Sequence, residues 1–176
     1  MSNVGDLASI IKGCKSGSAE SFSQLVDTYS GRCYGYFYRL TGSREISDDL
    51  LSELFVRLVE KIGTFRGGCF EGWLFKIASN IFNDHLRGRQ RQERLLEHQK
   101  RQLESEEQKT KFSGSERIDK LQAALNKLDM DTRKVIMLRF YSELSFKEMA
   151  MMRSEPIGTT LAKVHRGLKR LRELME

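Results

Sequence analysis

The sequence predicts an all-α protein with two small helical domains joined by a charged linker. Three observations support this fold class. The 176 residues contain a single proline, Pro156, and long stretches consist of strong helix formers. Apolar residues also recur three and four positions apart on both sides of a charged segment. We expect a first domain over residues 1–92, the linker over residues 93–115 and a second domain over residues 116–176.

The first domain should contain a long helix that ends near residue 41. Leu25 and Tyr29 belong to a set of apolar residues at helical spacing in this segment. Ser18 or Ser21 can cap the N-terminus, and Gly42 can end the helix.

A second helix is expected from Ser47, which can act as its N-cap. Asp48 and Asp49 would then lie at the positive end of the helix dipole, and Gly63 would end the helix. The side chains predicted to form its buried stripe are Leu50, Leu51, Leu54, Phe55, Leu58 and Ile62.

A glycine-rich loop, Phe65–Glu71, leads into a third helix near Trp73. One face of this helix is apolar and should pack on the core. Another face carries a polar stripe, which consists of Lys76, Asn80, Asn83, Asp84 and Arg87. The helix then continues into a run of arginines.

The polar stripe and the loop suggest contact with single-stranded nucleic acid. Asparagine can hydrogen-bond to the edge of a base, and lysine and arginine can hold phosphates. Glycines allow a backbone or an extruded nucleotide to approach closely. We therefore expect Asn80 and the loop Phe65–Glu71 to form one small pocket for an unstacked base. A solvated polar face remains the alternative.

Residues 93–115 have little apolar periodicity, carry charges of both signs and end in a Ser/Gly cluster. Such a segment cannot bury enough apolar surface to fold alone, although part of it can be helical. It is interpreted as the linker.

The second domain has the outline of a helix-turn-helix. Asp129 or Asp131 can cap one helix, and Ser145 with Glu148 forms a capping box at the start of a short helix. After a tight turn, Pro156 occupies the first turn of a last helix.

The last helix should have one apolar side and one DNA-binding side. The predicted apolar side comprises Ile157, Leu161, Val164, Leu168 and Leu171. The other side comprises Thr159, Thr160, Lys163, Arg166, Lys169 and Arg170. Short hydroxyl side chains can approach base edges while the cations neutralise phosphates, so duplex DNA is the expected ligand.

Composition restricts the remaining possibilities. The net charge of +6 suits a polyanionic partner. The three cysteines form no CxxC pair, which argues for reduced thiols rather than zinc. The sequence has neither a signal peptide nor a run of apolar residues long enough to cross a membrane, so we expect a soluble cytoplasmic protein. The histidines His85, His98 and His165 lie near no nucleophile or carboxylate pair, so neither an enzyme nor a cofactor is expected.

Several segments together resemble the group IV (extracytoplasmic function, ECF) sigma factors of the sigma-70 family. Residues 65–91, FRGGCFEGWLFKIASNIFNDHLRGRQR, are similar to their promoter-melting region. Residues 144–173, LSFKEMAMMRSEPIGTTLAKVHRGLKRLRE, are similar to their C-terminal helix-turn-helix. Residues 47–58 look like the helix that docks on the polymerase clamp, and residues 128–145 like the entry to the promoter-binding domain.

The resemblance implies a role for each set of residues. Contacts to the single-stranded −10 element would come from Phe65, Arg66, Gly67, Gly68, Lys76, Asn80, Asn83, Asp84, Arg87 and Arg89. Contacts to the −35 duplex would come from Ser145, Lys147, Pro156, Gly158, Thr159, Thr160, Lys163, Arg166 and Arg170. Polymerase docking would involve Asp48, Asp49, Ser52, Glu53 and Phe55. The implied partners are core RNA polymerase, through its β′ clamp and β flap, promoter DNA and an anti-sigma factor. The chain would be monomeric when free and would not insert into membranes.

Three features depart from the family pattern. Ser52 replaces a usual glutamine on the docking helix, and Leu161 and Ala162 replace a basic residue and a serine on the recognition helix. Lys163 stands where arginine is frequent, and lysine cannot make the same bidentate contact. The change at Ser52 bears on one polar contact to the polymerase, and the changes at Leu161, Ala162 and Lys163 bear on the −35 sequence and the strength of −35 binding. None of them affects the fold.

A stand-alone helix-turn-helix regulator that works without polymerase is the main alternative. It accounts for the second domain, but it gives the loop and polar stripe of the first domain no role.

Overall fold

The computed structural model describes residues 4–100 and 116–176, and the described residues form eight α-helices. The all-helical prediction is confirmed. The helices are α1 (Val4–Lys15), α2 (Ala19–Thr41), α3 (Arg44–Lys61), α4 (Phe70–Lys100), α5 (Glu116–Asn126), α6 (Met130–Ser142), α7 (Phe146–Arg153) and α8 (Ile157–Met175), with a short 3-10 turn (Ile62–Thr64) after α3.

Helix α2 has the ends that the sequence predicts. The Ser18 hydroxyl accepts a hydrogen bond from the Ser21 amide, and Gly42 ends the helix at φ 70°, where a left-handed backbone favours glycine. Its buried side chains are Leu25, Tyr29, Cys33, Tyr36, Phe37 and Leu40. They form the centre of the core in the first half of the chain.

Helix α3 begins four residues earlier than predicted. The cap is Ser43, whose side chain accepts from the Ile46 amide, and not Ser47. Ser47 is fully buried inside the helix, where its hydroxyl bonds to the Ser43 carbonyl and the Thr41 hydroxyl. Asp48 and Asp49 therefore lie in the second turn, beyond the strongest part of the helix dipole.

Helix α4 continues past the predicted end of the first domain. It runs to Lys100, so residues 93–100 of the predicted linker are helical, while residues 101–115 lie outside the described part. An (i, i+4) ion pair between Arg89 and Glu93 supports this exposed extension. The apolar face of α4 is buried as predicted: Leu74, Ile77, Ala78, Ile81 and Phe82.

The helix caps of the second half agree with the sequence. Asp129, rather than Asp131, caps α6 by accepting from the Thr132 amide. Both hydrogen bonds of the capping box at the start of α7 are present: the Ser145 hydroxyl accepts from the Glu148 amide, and the Glu148 carboxylate accepts from the Ser145 amide. Ser154 at φ 54° then makes the turn into α8. Pro156 lies at the N-cap of α8, one residue before the predicted first turn.

The buried face of α8 differs from the predicted one. Thr160, Val164 and Gly167 are buried, whereas Ile157, Leu161 and Leu168 are 52%, 38% and 36% exposed. The reason is a close approach of α8 to α6. A methyl group on Gly167 would lie 2.5 Å from a Thr132 methyl carbon, so only small residues fit at the crossing.

The two halves of the chain pack on each other and share one hydrophobic core. Helix α2 lies against α6, and α4 contacts α6 and α7. At Gly35 of α2, a Cβ would lie 2.4 Å from the Tyr141 ring of α6. We call this packing the closed arrangement.

Candidate nucleic-acid interface

The glycine loop before α4 is held by aromatic packing. The Phe65 ring is buried against Phe70 and Trp73, with centroids 5.4 Å from each. Lys15 of α1 donates to the Phe65 carbonyl at 2.6 Å. Phe65, predicted to contact DNA, is thus a core residue that anchors the loop.

The rest of the loop is exposed. Gly67 and Gly68 have φ values of 98° and 90°, which L-residues rarely adopt, and the Arg66 side chain is exposed beside them. The loop lines a cavity of about 540 Å³ together with α1 residues Leu7, Ala8, Ile11 and Lys15. This cavity is large enough for an extruded base.

Asn80 lies away from the loop cavity. It is exposed on α4 and lines two other cavities, of about 240 and 260 Å³. The distance between Asn80 and the loop follows from helix geometry. Asn80 lies ten residues after Phe70, which corresponds to about 15 Å along the helix axis. The predicted single pocket of Asn80 and the loop is therefore wrong, and the two parts line separate cavities.

The smaller of the two cavities lies between the halves of the chain. Its lining combines α4 residues, Lys76, Asn80 and Asn83, with second-half residues that include Lys134 and Arg153. The other lies between α3 and α4, where the cations Arg57, Lys61 and Arg87 surround Asn80 and Asn83. Cations beside amides form a surface suited to a phosphodiester backbone.

Two residues of the polar stripe are bonded to the second half. Lys134 donates to the Asn83 side-chain oxygen at 2.6 Å, and Lys76 donates to the Met152 carbonyl at 2.6 Å. Burial lowers the pKa of Lys134, which Asp131 partly offsets.

The basic end of the stripe carries its own ion pairs. Arg87 pairs with Asp84 one turn earlier, and Arg89 donates to Glu93 at 2.8 Å. All four side chains are about half exposed or more, so these pairs contribute little stability and can be exchanged for phosphates.

The helix-turn-helix presents only part of the predicted DNA surface. Pro156, Gly158 and Thr159 are exposed at the start of α8, with Arg166 exposed further along. Ser145 and Lys147 are exposed at the start of α7. Arg170 is also exposed, in a surface pair with Glu173 at 3.1 Å.

Thr160 and Lys163 do not belong to that exposed surface. The Thr160 side chain is fully buried and donates to Glu155 at 2.8 Å. The Lys163 ammonium lies 2.7 Å from both Glu155 and Asp131. The prediction that Thr160 lies close to base edges is wrong in this arrangement, because the turn uses its hydroxyl.

Glu155 organises the turn between α7 and α8. It accepts from Arg153 at 2.8 Å as well as from Thr160 and Lys163. Burial raises the pKa of Glu155, but these hydrogen bonds outweigh burial and hold the pKa at about 2. The carboxylate is therefore ionised at all physiological pH values.

The exposed face of α3 is the candidate docking surface. Asp48, Asp49 and Ser52 are exposed on it, whereas Glu53 is tied to Arg57 at 2.7 Å and Phe55 is half-buried. The sequence interpretation missed Val56 and Val59, which are 58% and 55% exposed on the same face. Their positions off the buried stripe, one and two turns from Ser52, are the signal that identifies them.

The remaining candidates for chemistry in the described residues are metal ligands and cysteine thiols. No group of three or more His, Cys, Asp or Glu side chains there could hold a metal ion. Cys14 and Cys33 are buried, and burial raises the pKa of Cys33 to about 12 despite the neighbouring Arg32. Among the helices described, none has the length and apolar character needed to span a membrane.

Comparisons with known proteins identify the family of the chain. Residues 25–92 match sigma-70 region 2, and residues 118–171 match sigma-70 region 4. ECF RNA polymerase sigma factor SigX of Bacillus subtilis is 30% identical, with coverage of 89% of this chain and 84% of that protein. ECF RNA polymerase sigma factor SigE of Mycolicibacterium smegmatis is 32% identical over 88% of this chain, which spans 62% of the length of that protein.

A solved structure has a similar fold. The sigma factor RpoE of Bartonella quintana, crystallised with the anti-sigma factor NepR, superimposes with a TM-score of 0.72 at 26% identity and covers 89% of this chain and 98% of its own. Both sigma-70 regions thus occur in order on one helical chain. The protein belongs to the ECF sigma factors of the sigma-70 family.

Proposed function

We propose that the chain is a promoter-specificity subunit of bacterial RNA polymerase, a transcription initiation factor without enzymatic activity of its own. It docks on core polymerase in the cytoplasm, recognises promoters and melts them. The main support is the ordered presence of both sigma-70 regions on one chain. Each region carries exposed cations, Arg66 and Arg87 in the first and Arg166 in the second.

Each of the three predicted segments has its own proposed role. Residues 1–92 dock on the clamp through α3 and hold the −10 strand. Residues 93–115 connect this domain to residues 116–176, which bind the −35 duplex. For the −10 strand, the exposed loop residue Arg66 and the groove lined by Asn80 and Arg87 are the best placed. For the −35 duplex, Thr159 at the N-terminus of α8 and Arg166 two turns later are the best placed.

An anti-sigma factor is the proposed regulatory partner. The support is the Bartonella quintana sigma factor, which was crystallised with one and whose fold covers most of this chain.

The test is reconstitution with core polymerase. The chain and core enzyme are mixed with a library of genomic fragments, and bound fragments are sequenced and used as templates for run-off transcription. We expect promoter-specific transcripts only when the chain and core enzyme are both present. Specific shifting of duplex DNA by the chain alone, without any transcription in the presence of core enzyme, would instead support a stand-alone helix-turn-helix regulator.

A further inference from the structure

Leu161 is an apolar residue of α8 that the core of the second half leaves uncovered. The face of α8 that packs on α6 contains Thr160, Val164 and Gly167, which are buried. Leu161 follows Thr160 and therefore lies about 100° around the helix axis from that residue. It is 38% exposed. Its side chain is thus available to a ligand that approaches α8 from outside.

A nearby apolar cavity does not account for this exposure. Leu168 lies seven residues later at nearly the same angle on α8 and is 36% exposed. It lines a cavity of about 380 Å³ with Phe140 and Leu171. Leu161 is not part of that lining. The two leucines are therefore similar in exposure but differ in surroundings, which makes Leu168 a matched control for Leu161.

Two small residues lie on the side of α8 that faces away from α6. Gly158 and Ala162 are one turn apart and lie nearly opposite Thr160 around the helix axis. No atom lies within 4 Å of a virtual Cβ on Gly158, so packing inside the protein does not require a glycine there. A glycine inside a helix lowers stability, but it allows another molecule to approach the backbone closely. If α8 lies in a major groove, these two positions let it approach the base edges.

The polar side chains next to Leu161 are occupied inside the protein. Lys163 is the nearest lysine or arginine in the sequence of α8, and its ammonium lies 2.7 Å from both Glu155 and Asp131. Thr160 is buried and donates to Glu155 at 2.8 Å. Neither of these neighbours is free to hydrogen-bond to a base beside Leu161. The surface that α8 offers at position 161 is therefore apolar.

Thymine is the base that suits an apolar side chain. A leucine can neither donate nor accept a hydrogen bond, and the thymine 5-methyl is the apolar group on the major-groove edges of the base pairs. We propose that Leu161 is a specificity-determining residue for the −35 element, and that it selects thymine at one position by contact with the 5-methyl group. Gly158 and Ala162 give α8 the close approach that this contact needs. The inference rests on the proposed function of α8 and specifies one base that the chain selects.

The first test removes the thymine methyl and leaves the protein unchanged. A promoter fragment from the genomic selection is prepared in variants that each carry deoxyuridine in place of one thymine of the −35 element, on either strand. Deoxyuridine keeps the Watson–Crick edge and lacks only the 5-methyl group. Competition against the unmodified fragment gives the holoenzyme affinity for each variant. We expect one substitution to weaken binding about fourfold, the size expected when one buried methyl group is lost.

The second test identifies the side chain that contacts this methyl group. The ratio of the affinities for thymine and deoxyuridine is measured with Leu161→Ala and Leu168→Ala holoenzymes. Leu161→Ala should bring the ratio to about one, because alanine is too short to reach the base. Leu168→Ala removes the same atoms from a similarly exposed leucine and should keep the ratio at about four. A general loss of stability or of polymerase affinity affects both DNA molecules equally, so it does not change the ratio.

Leu161→Lys tests the same contact with the basic residue that this leucine replaces. The ratio for thymine and deoxyuridine should again fall to about one. The slope of log K against log salt should become steeper by about one, because a lysine at this position can reach a phosphate. An unchanged slope would mean that position 161 does not face DNA, and the proposal would be wrong.

The outcomes are separable from the proposed function. The role of Leu161 is overturned if no thymine of the −35 element is sensitive to deoxyuridine, if Leu161→Ala leaves the ratio unchanged, or if Leu168→Ala removes it equally. Run-off transcription by the wild-type holoenzyme is measured on the same fragment. Transcription together with any of these results refutes only the role of Leu161, whereas absence of transcription refutes the proposed function.

Discussion

Glu155 shows how a single side chain determines which residues of a recognition element remain available. Its two carboxylate oxygens accept from Arg153, Thr160 and Lys163, so the tight turn is closed by charge-assisted hydrogen bonds rather than by apolar packing. Sequence spacing placed Thr160 and Lys163 on the polar side of α8. It could not distinguish a side chain that faces DNA from one that faces the turn.

Glu155→Gln should destabilise the protein by about 1–3 kcal/mol at pH 7. The carboxylate accepts hydrogen bonds from Arg153, Thr160 and Lys163, and a neutral amide would be a weaker acceptor for them. The folded pKa of about 2 lies below the ordinary 4.5, so this carboxylate stabilises the fold above pH 4.5 and loses that contribution as pH falls toward 2. The difference between wild type and variant in urea unfolding should therefore shrink between pH 5 and pH 3. Glu173→Gln, in an exposed pair, should have an effect below about 0.5 kcal/mol, and a pH-independent difference for Glu155→Gln would contradict the assignment.

Gly167 lies inside a helix at a point where α6 leaves no space for a side chain. Gly167→Ala should destabilise the protein by about 1–3 kcal/mol through overpacking against Thr132 and Ile136, despite the better helix propensity of alanine. Gly88→Ala, on the exposed part of α4 with no atom near its virtual Cβ, should stabilise it by about 0.5–1 kcal/mol. Chemical denaturation measures both, and the same sign for the two variants would refute the close-crossing explanation.

At the scale of helices, local sequence signals predict where a helix begins and ends better than they predict which of its faces is buried. Ser18, Gly42, Asp129 and the capping box at Ser145 act within three residues of each helix end, so the sequence alone reveals them. The start of α3 was misplaced because Ser43 and Ser47 are both possible caps, and tertiary burial of Ser47 decides between them. The buried face of α8 depends on how closely α6 approaches, which the sequence of α8 does not contain.

The exposed side of α8 is the surface proposed to contact DNA phosphates. Arg166→Ala should reduce the slope of log K against log salt for holoenzyme binding by about one, irrespective of the −35 sequence, because one phosphate contact is lost. Lys120→Ala, an exposed cation on α5, should leave the slope unchanged. Filter binding or anisotropy at several salt concentrations measures the slopes, and equal slopes for wild type and Arg166→Ala would remove Arg166 from the interface.

Helix α3 combines acidic and apolar exposed side chains on one face. Asp49→Lys should weaken core-polymerase binding at least about tenfold, because a like charge would face the basic or polar clamp surface. Asp27→Lys, at an exposed position of α2, makes the same charge change on a different helix and should not weaken binding. Competition for core polymerase against the wild-type chain measures both. Equal affinities for the two variants would mean that another surface docks.

At the scale of the whole molecule, the sequence predicts two helical units but not their packing. Motif spacing within each half is local, whereas the interface depends on single long-range contacts such as Arg133 to the Leu40 carbonyl, 93 residues apart. Buried polar residues such as Gln122 carry no periodic signal, so nothing in the sequence pattern identifies them. The prediction of one pocket for the loop and Asn80 fails for a local reason, because the rise of α4 separates Phe70 from Asn80 by about 15 Å.

A shared core should make the two halves unfold together. Trp73 is the only tryptophan and lies in the first half, whereas far-UV circular dichroism reports helices of both halves. The two signals should give one coincident urea transition for the wild type and separate transitions for Gly35→Leu. Gly31→Leu, at a position of α2 one turn earlier where nothing lies within 4 Å of a virtual Cβ, serves as the control. Separate transitions in the wild type would show that the halves do not stabilise each other.

The contact between Gly35 and Tyr141 has an evolutionary consequence. Because the Tyr141 ring lies where a Cβ at position 35 would go, a larger residue there is compatible with the closed arrangement only if the ring moves aside or position 141 becomes smaller. We expect the two positions to vary in a correlated manner among relatives that keep this packing and independently among relatives that have lost it. The inheritance of this pair would then mark the lineages in which the two halves have been selected to hold each other.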